Sequence, residues 1–334
     1  MVEIKKAFLK FLKEEKNTFF KKFFYYFLFS LSFFYSFLVN LRNYLYDKKI
    51  LKTYKSRKKL INIGNIVWGG TGKTSLVIYL AEKLKDKYKL ACILKGYASD
   101  EYKLVREKIK NVFEAKNRVS LLKSLEDKFD VFLFDDCFQY RKLLYDLNIL
   151  VMKEDDLGSP QLIPAGIWRE PPQNIQRADL IIINYAKNKE YVKKKLAFLN
   201  KNLEIFFMHY RFKNFLNINK EIVEPSYFKN KNIGLLSAIG YPEGFLRSLK
   251  DEFDFLKIKK TIFYPDHFQF KQEELKKVEK EFLKEDIKDI IITHKDYYHI
   301  NFEKASLNYF IFDVELQIEE EEAFLKKIED VLSC

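Results

Sequence analysis

Gly69-Gly70-Thr71-Gly72-Lys73-Thr74 lies between an apolar run, Leu60-Ile61-Asn62-Ile63-Gly64, and a helical run from Ser75 to Leu84. In that setting the backbone N–H groups of a glycine-rich turn and the first turn of the following helix cradle phosphates. Lys73 is placed to reach the β- and γ-phosphates of a nucleotide, and the Thr74 hydroxyl to ligate Mg²⁺. The strict pattern has glycine at position 67, where this chain carries Val67. A second group is Asp130-Val131-Phe132-Leu133-Phe134-Asp135-Asp136, an apolar strand ending in two carboxylates. Acids at the carboxyl end of a strand in a nucleotide-binding sheet stand beside the phosphate loop, where one holds Mg²⁺ and the other positions it. Alone, the pair reads equally well as a solvated turn or a helix cap. Combined with the loop it points to ATP and Mg²⁺ as cofactors, with Thr74, Asp135 and Asp136 as metal ligands.

The remaining reactive side chains carry less. His294 and His299 have no Cys or His partner at ligand spacing and read as solvent or packing residues, and His209 has no inferable role. Cys92, Cys137 and Cys334 are odd in number and far apart, which fits a reducing compartment rather than a disulfide or zinc framework.

Positioning these groups requires an α/β framework. Apolar runs at Leu90–Leu94, Val131–Phe134, Leu147–Val151, Leu180–Ile183, Ile205–Met208, Ile233–Leu236, Ile290–Thr293 and Tyr309–Phe312 are nearly continuous in hydrophobicity, as strands of a parallel sheet covered on both faces are. The expected fold is a P-loop NTPase, RecA-like, with a mostly parallel sheet, a second and smaller α/β lobe, and an N-terminal membrane-associating helix. Residues 1–50 form the N-terminal segment, 51–224 the P-loop kinase domain and 225–334 the smaller lobe, with the boundary in the polar, proline-interrupted stretch Phe212–Asn232. The final stretch from Gln317 reads as a charged helix with an apolar stripe.

Phe23 to Val39 contains no charge and is crowded with Phe, Tyr, Leu and Ser, while Lys21, Lys22, Arg42, Lys48 and Lys49 flank it. A span needs about 20 apolar residues, so a tilted span and an interfacial helix both remain open, and the aromatic content favours the interface. A cleaved leader is disfavoured because no small-residue site follows, and a buried core helix is the bland alternative. The chain carries 60 Lys plus Arg against 47 Asp plus Glu, a net charge of +13, which favours polyanionic partners. The basic run Lys52 to Lys59 directly follows the apolar segment, so an anionic membrane surface explains it more simply than nucleic acid.

Several islands, taken together and in order, resemble the tetraacyldisaccharide 4'-kinases that phosphorylate the lipid A precursor. They are Gly64-Asn65-Ile66 leading into the phosphate loop, Asp135-Asp136-Cys137-Phe138-Gln139-Tyr140-Arg141, and Leu162-Ile163-Pro164-Ala165-Gly166-Ile167-Trp168-Arg169-Glu170-Pro171. Beyond them come Ile239-Gly240-Tyr241-Pro242-Glu243-Gly244-Phe245, Tyr264-Pro265-Asp266-His267 and Thr293-His294-Lys295-Asp296. The resemblance implies transfer of the ATP γ-phosphate to the 4'-hydroxyl of a tetraacylated glucosamine disaccharide 1-phosphate at the cytoplasmic face of the bacterial inner membrane. A monomer is expected, and nucleic acid is not among the expected partners. By the same resemblance Asp100 and His267 act on the acceptor hydroxyl with Lys73 on the phosphate. Arg169 and Glu170 read as residues that bind substrate phosphate or organise the site, with a structural salt bridge as the competing reading. A carboxylate that orients an imidazole makes a competent proton acceptor near neutral pH.

The chain departs from the family pattern in three places. Cys137 and Tyr140 stand where the family has glycine and histidine, and the family's Arg-Gly-Tyr-Gly-Arg loop is shortened to Lys95-Gly96-Tyr97-Ala98-Ser99, immediately before Asp100-Glu101. The competing reading is a membrane-associated P-loop ATPase or GTPase switch, which leaves the Pro-Ala-Gly and Arg-Glu-Pro segment unexplained.

Overall fold

The computed structural model describes residues 19–95, 99–158, 160–199, 203–266 and 268–333, with backbone alone for 99–101 and 103. The chain forms two compact units: one holds the described residues up to His209 together with those from Gln317 onward, and the other runs Tyr210–Leu316.

In the first unit, helix α1 (Phe19–Asp47) is followed by β1 (Tyr54–Lys55), β2 (Lys59–Gly64), α2 (Lys73–Leu84), β3 (Leu90–Lys95), α3 (Ser99–Lys108), β4 (Val112–Ala115), α4 (Arg118–Leu125) and β5 (Val131–Asp135). Then come β6 (Leu143–Leu144), β7 (Leu147–Lys153), β8 (Leu180–Asn184), α5 (Lys189–Leu199) and β9 (Glu204–Asn217), which runs across the boundary between the units. Strands β4, β3, β5, β2, β7, β8 and β9 form a parallel sheet in that order, and β1 pairs separately with β6. The five residues of β5 and of β8 are all buried, as are the last five of β2, which is why these strands read as unbroken apolar runs. Register pairs Ile63 with Asp135, so the carboxylates end their strand directly beside the residue that leads into the phosphate loop.

In the second unit, β10 (Ile222–Val223) pairs antiparallel with β9, and β11 (Asn232–Ser237), α6 (Pro242–Glu252), β12 (Lys257–Phe263), α7 (Gln272–Leu283), β13 (Asp289–Thr293), the short helix α8 (His294–Tyr297) and β14 (Asn308–Ile318) follow. Strands β12, β11, β13 and β14 are parallel neighbours in that order. Their cover is an apolar cluster that includes Leu236, Val278, Phe282, Ile290 and Ile311.

The division differs from the expected boundary in two ways. It falls at His209 and Tyr210 because β9 continues as one strand through to Asn217, so the polar stretch that looked like a linker is partly strand. The C-terminal helix α9 (Glu321–Ser333), expected in the smaller lobe, belongs to the unit with the phosphate loop. Its apolar stripe Phe324, Ile328 and Leu332 is buried, Phe324 meets Phe206 edge-on at 5.3 Å, and Tyr79 donates to Glu321 at 2.5 Å.

Helix α1 belongs to this unit as well, rather than standing apart. Its inner stripe is Tyr25, Leu28, Ser32, Tyr35, Val39 and Asn43, the spacing of one helical face. On the other faces Phe20, Phe23, Phe27, Phe29, Phe33, Phe34 and Phe37 are each more than half exposed. The helix is long and apolar enough to cross a membrane, and at 1.5 Å per residue it measures about 44 Å.

Candidate active site

The phosphate loop leaves β2 and enters α2 through two backbone positions that a side chain would strain. Gly69 has φ 140° and Gly72, the N-cap of α2, has φ 96° and ψ 15°. The left-handed turn at Gly72 directs the first N–H groups of α2 toward the space where phosphates sit. Position 67 needs no such freedom: Val67 is fully buried and forms a bridge with Trp168, and its neighbours bond to the same segment, Trp68 N to Ile167 O at 2.7 Å and Arg169 N to Ile66 O at 2.8 Å. A β-branched residue suits this extended, packed stretch, which accounts for the departure from the strict pattern.

The carboxylates end β5 at the same edge. Asp135 is buried and accepts from Thr74 Oγ1 at 3.0 Å. Hydroxyl and carboxylate oxygens side by side fit Mg²⁺, which takes one or two protein oxygens and completes its shell from phosphates and water. Asp136 has φ 53°, a left-handed conformation seldom adopted by residues other than glycine. That turn brings its carboxylate to 3.6 Å from Lys73 Nζ and 2.9 Å from Arg169 Nη1. Burial pushes the Asp136 carboxyl up, but Lys73, Arg169 and Lys95 outweigh it and hold the group at about 2.

Position 137 does not need the conformational freedom of the family's glycine, because the left-handed residue of the turn is Asp136 rather than Cys137. Cys137 is fully buried, and burial pushes its thiol up to about 12 against the pull of Arg118, so it is an inert core residue. Tyr140 lies under the Arg118 guanidinium, 5.0 Å from its ring, and serves packing instead of imidazole chemistry.

Arg169 and Glu170, expected together at the substrate, separate in role. Arg169 points at Asp136 and approaches Gln139 Oε1 at 3.4 Å. Glu170 has no exposed surface to offer a ligand: it accepts from Arg42 at 3.2 Å, Asn43 at 3.0 Å, Asn174 at 2.9 Å and Arg177 at 2.5 Å. A buried carboxylate with four donors fits the structural salt bridge that competes with the substrate-binding reading of Glu170.

Three polar residues that received no role from the sequence, two of them inside the quoted motifs, also hold the loop. Asn65 Nδ2 lies 3.4 Å from Thr71 Oγ1, Asn184 Nδ2 donates to Thr71 O at 3.0 Å, and Gln139 Nε2 donates to Asn65 O at 2.8 Å. Asn65 and Asn184 are buried at the carboxyl ends of apolar strands, and that position in the sequence is the signal that could have found them.

In the second unit three of the motifs meet. Asp296 is fully buried, caps α8 through Thr293, and accepts from Ser237 Oγ at 2.9 Å and Ala238 N at 2.6 Å. It thereby ties the end of β13 to the end of β11, where Ile239-Gly240-Tyr241-Pro242 begins. Lys295 Nζ reaches Asp266 Oδ1 at 3.0 Å. His294 contacts Asp313 at 3.3 Å and stacks on Tyr298, a packing arrangement. Asp100 lies in the first turn of α3 with backbone alone described, and His267 lies outside the described residues.

A family model for tetraacyldisaccharide-1-P 4'-kinase (LpxK) matches residues 24–110 and 98–333. The tetraacyldisaccharide 4'-kinase of Aquifex aeolicus is 32% identical over 318 residues, 87% of this chain and 94% of the relative. That of Flavobacterium psychrophilum is 29% identical over 335 residues, 90% and 95%. A crystal structure of LpxK from Aquifex aeolicus in complex with ATP matches with a TM-score of 0.68 and 29% identity, covering 91% of this chain and 98% of the other. With the family model spanning nearly the whole chain and the phosphate loop, carboxylate strand and Arg-Glu-Pro segment assembled in one unit, this chain belongs to the tetraacyldisaccharide-1-P 4'-kinase family.

Proposed function

We propose that the chain transfers the γ-phosphate of ATP to the 4'-hydroxyl of a tetraacyldisaccharide 1-phosphate, working at the cytoplasmic face of a bacterial inner membrane. The observation that carries this reading is the convergence of Lys73, Asp136 and Arg169 behind the Gly69–Thr74 turn in a chain of this family. Lys73 and the N–H groups of α2 hold the transferring phosphate, and Arg169 adds positive charge beside it. Thr74 and Asp135 are the oxygens that would hold Mg²⁺, with Asp136 steering Lys73; bound there, the ion would neutralise charge on the β- and γ-phosphates.

In the transfer the acceptor oxygen forms a bond to the γ-phosphorus, the bond to the ADP oxygen breaks, and the hydroxyl proton leaves to a base. Asp136 is unsuited to that task, since a carboxyl held at about 2 is a weak proton acceptor at neutral pH. By family resemblance Asp100 and His267 are the residues that take the proton. The exposed aromatic faces of α1, with basic residues on either side, fit a helix lying at an anionic lipid surface, where an acylated substrate resides.

The test is phosphorylation of the purified disaccharide 1-phosphate in detergent with ATP and Mg²⁺, read by mass of the product. Wild-type protein yields the 4'-phosphate, while Lys73→Ala, Asp100→Ala and His267→Ala each lose at least 100-fold in rate, on the order of what removal of a charge-stabilising group costs. No product from folded wild-type protein, or full activity in Lys73→Ala, overturns the reading.

A further inference from the structure

The segment Gln161–Glu170 is fastened on two sides at once. Along one side the inner stripe of α1 reads it residue by residue: Tyr25 donates to Gln161, Ser32 donates to Leu162 O and accepts from Ala165 N, both at 2.8 Å, Tyr35 donates to Arg169 O at 2.8 Å, and Asn43 donates to Glu170. Along the other side the same segment pairs with the start of the phosphate loop through Ile66, Val67 and Trp68.

Arg169 is the junction. Its carbonyl is held by α1, its N–H by Ile66, and its guanidinium by Asp136, which in turn faces Lys73. The backbone of Asn43 also holds the loop that follows β5, since its carbonyl accepts from Arg141 Nη1 at 2.9 Å, and Arg141 also pairs with Asp47 at 2.6 Å. Both loops that carry charge to the nucleotide site are therefore pinned to the inner stripe and last turns of the helix whose other faces carry exposed Phe side chains. An apolar helix with eight Phe residues more than half exposed gains free energy from entering a lipid surface, and any adjustment of its tilt or depth moves polar groups fixed on its inner stripe.

We propose that Tyr35 and Asn43 are positioning residues of the nucleotide site, coupling the seating of α1 in an anionic lipid bilayer to Arg169 and, through it, to Asp136 and Lys73. The proposal rests on the membrane-surface reading given above. Reciprocity follows: if lipid binding favours the arrangement that holds nucleotide, nucleotide tightens lipid binding by the same factor.

The experiment uses the full chain, a fluorescent ATP analogue and vesicles of mixed phosphatidylglycerol and phosphatidylethanolamine, with co-sedimentation run in parallel and no disaccharide present. The wild type binds the analogue at least fivefold more tightly with vesicles than without. Tyr35→Phe, which removes one hydroxyl and keeps the ring, loses most of that gain while still sedimenting with vesicles; Asn43→Ala does the same. Should Asn43→Ala fail to fold, Tyr35→Phe carries the test alone. A wild type whose nucleotide affinity ignores vesicles that it binds, or a Tyr35→Phe variant with the full gain, overturns the coupling and leaves the kinase reading standing. Failure of the wild type to sediment overturns the membrane-surface reading and the coupling with it.

Discussion

Asp136 combines a left-handed backbone with a carboxylate set among Lys73, Arg169 and Lys95, and both features exist to place one negative charge beside the phosphate loop. Lys73, Arg169 and Lys95 outweigh burial and hold its carboxyl at about 2, below the ordinary aspartate value, so the ionised form stabilises the fold. The lowered value means that this stabilisation is complete above about pH 4 and is lost as pH falls through about 2, and a shift of this size corresponds to about 2 kcal/mol. Asp136→Asn is therefore less stable than wild type by a gap that stays constant from pH 8 to about pH 4 and closes below it, as urea unfolding across pH would show. A gap that instead widens on acidification would contradict the assigned cation partners. The same substitution releases Lys73 and Arg169 from their shared partner and lowers the phosphorylation rate at least tenfold, without moving the acid limb of the pH–rate profile, because Asp136 does not titrate there. Asp296 makes the contrasting case of a carboxylate used for architecture. Its oxygens face donors from Ser237, Ala238 and Thr293, so Asp296→Asn turns an amide N–H₂ toward one of them and costs about 1–3 kcal/mol. A melting temperature unchanged by that substitution would remove its structural role.

Helix α9 shows how an element at the end of the chain is spent on an earlier part of the fold. Phe324 is fully buried and Ile328 with it, against a strand that begins the crossing between units. Phe324→Ala costs about 3–5 kcal/mol, the usual range for a buried aromatic truncated to a cavity, and lowers the urea midpoint. A loss under about 1 kcal/mol would mean that the helix is dispensable for that unit. The sequence announced α9 as an amphipathic helix but not its partner, because an apolar stripe states that something is covered without naming what covers it. The buried strands were legible for the opposite reason: runs such as Leu180–Ile183 are apolar on both faces and can only be interior. Strand β12 was not, since Lys257, Lys259 and Lys260 break its apolar run and its burial alternates as an edge strand's does. At the site, Lys73, Thr74, Asp135 and Asp136 were legible because glycine spacing and strand-end acids are local signals. The partners of Glu170 were not legible, because its four donors come from Arg42, Asn43, Asn174 and Arg177, two of them more than 120 residues away in sequence, and long-range pairing leaves no local mark.

At the scale of the whole molecule, the proposed association with a lipid surface would rest on two forces, and salt separates them. The chain carries a net charge of +13, with Lys22, Lys48 and Lys49 exposed at the ends of α1. Each basic residue near an anionic surface contributes about 1 kcal/mol, and this contribution is screened as the Debye length falls from about 10 Å at 0.1 M salt to about 3 Å at 1 M. Burial of the exposed Phe side chains is not screened, and each contributes up to about 1.5–3 kcal/mol when fully covered. Binding to vesicles rich in phosphatidylglycerol therefore weakens at least tenfold between those salt concentrations and levels off at a remainder equal to the binding seen on phosphatidylcholine vesicles, which is insensitive to salt. Replacing Phe27 and Phe34, which are 52% and 61% exposed, by Ser lowers that remainder at least tenfold on both vesicle types at every salt concentration. Neither side chain is on the inner stripe of Tyr25, Ser32, Tyr35 and Asn43, so the melting temperature of the double variant in the absence of lipid stays at the wild-type value. Flotation of fluorescently labelled protein measures both quantities. Binding to anionic vesicles that vanishes completely in 1 M salt would assign the association to charge alone and leave the aromatic faces of α1 without a lipid role.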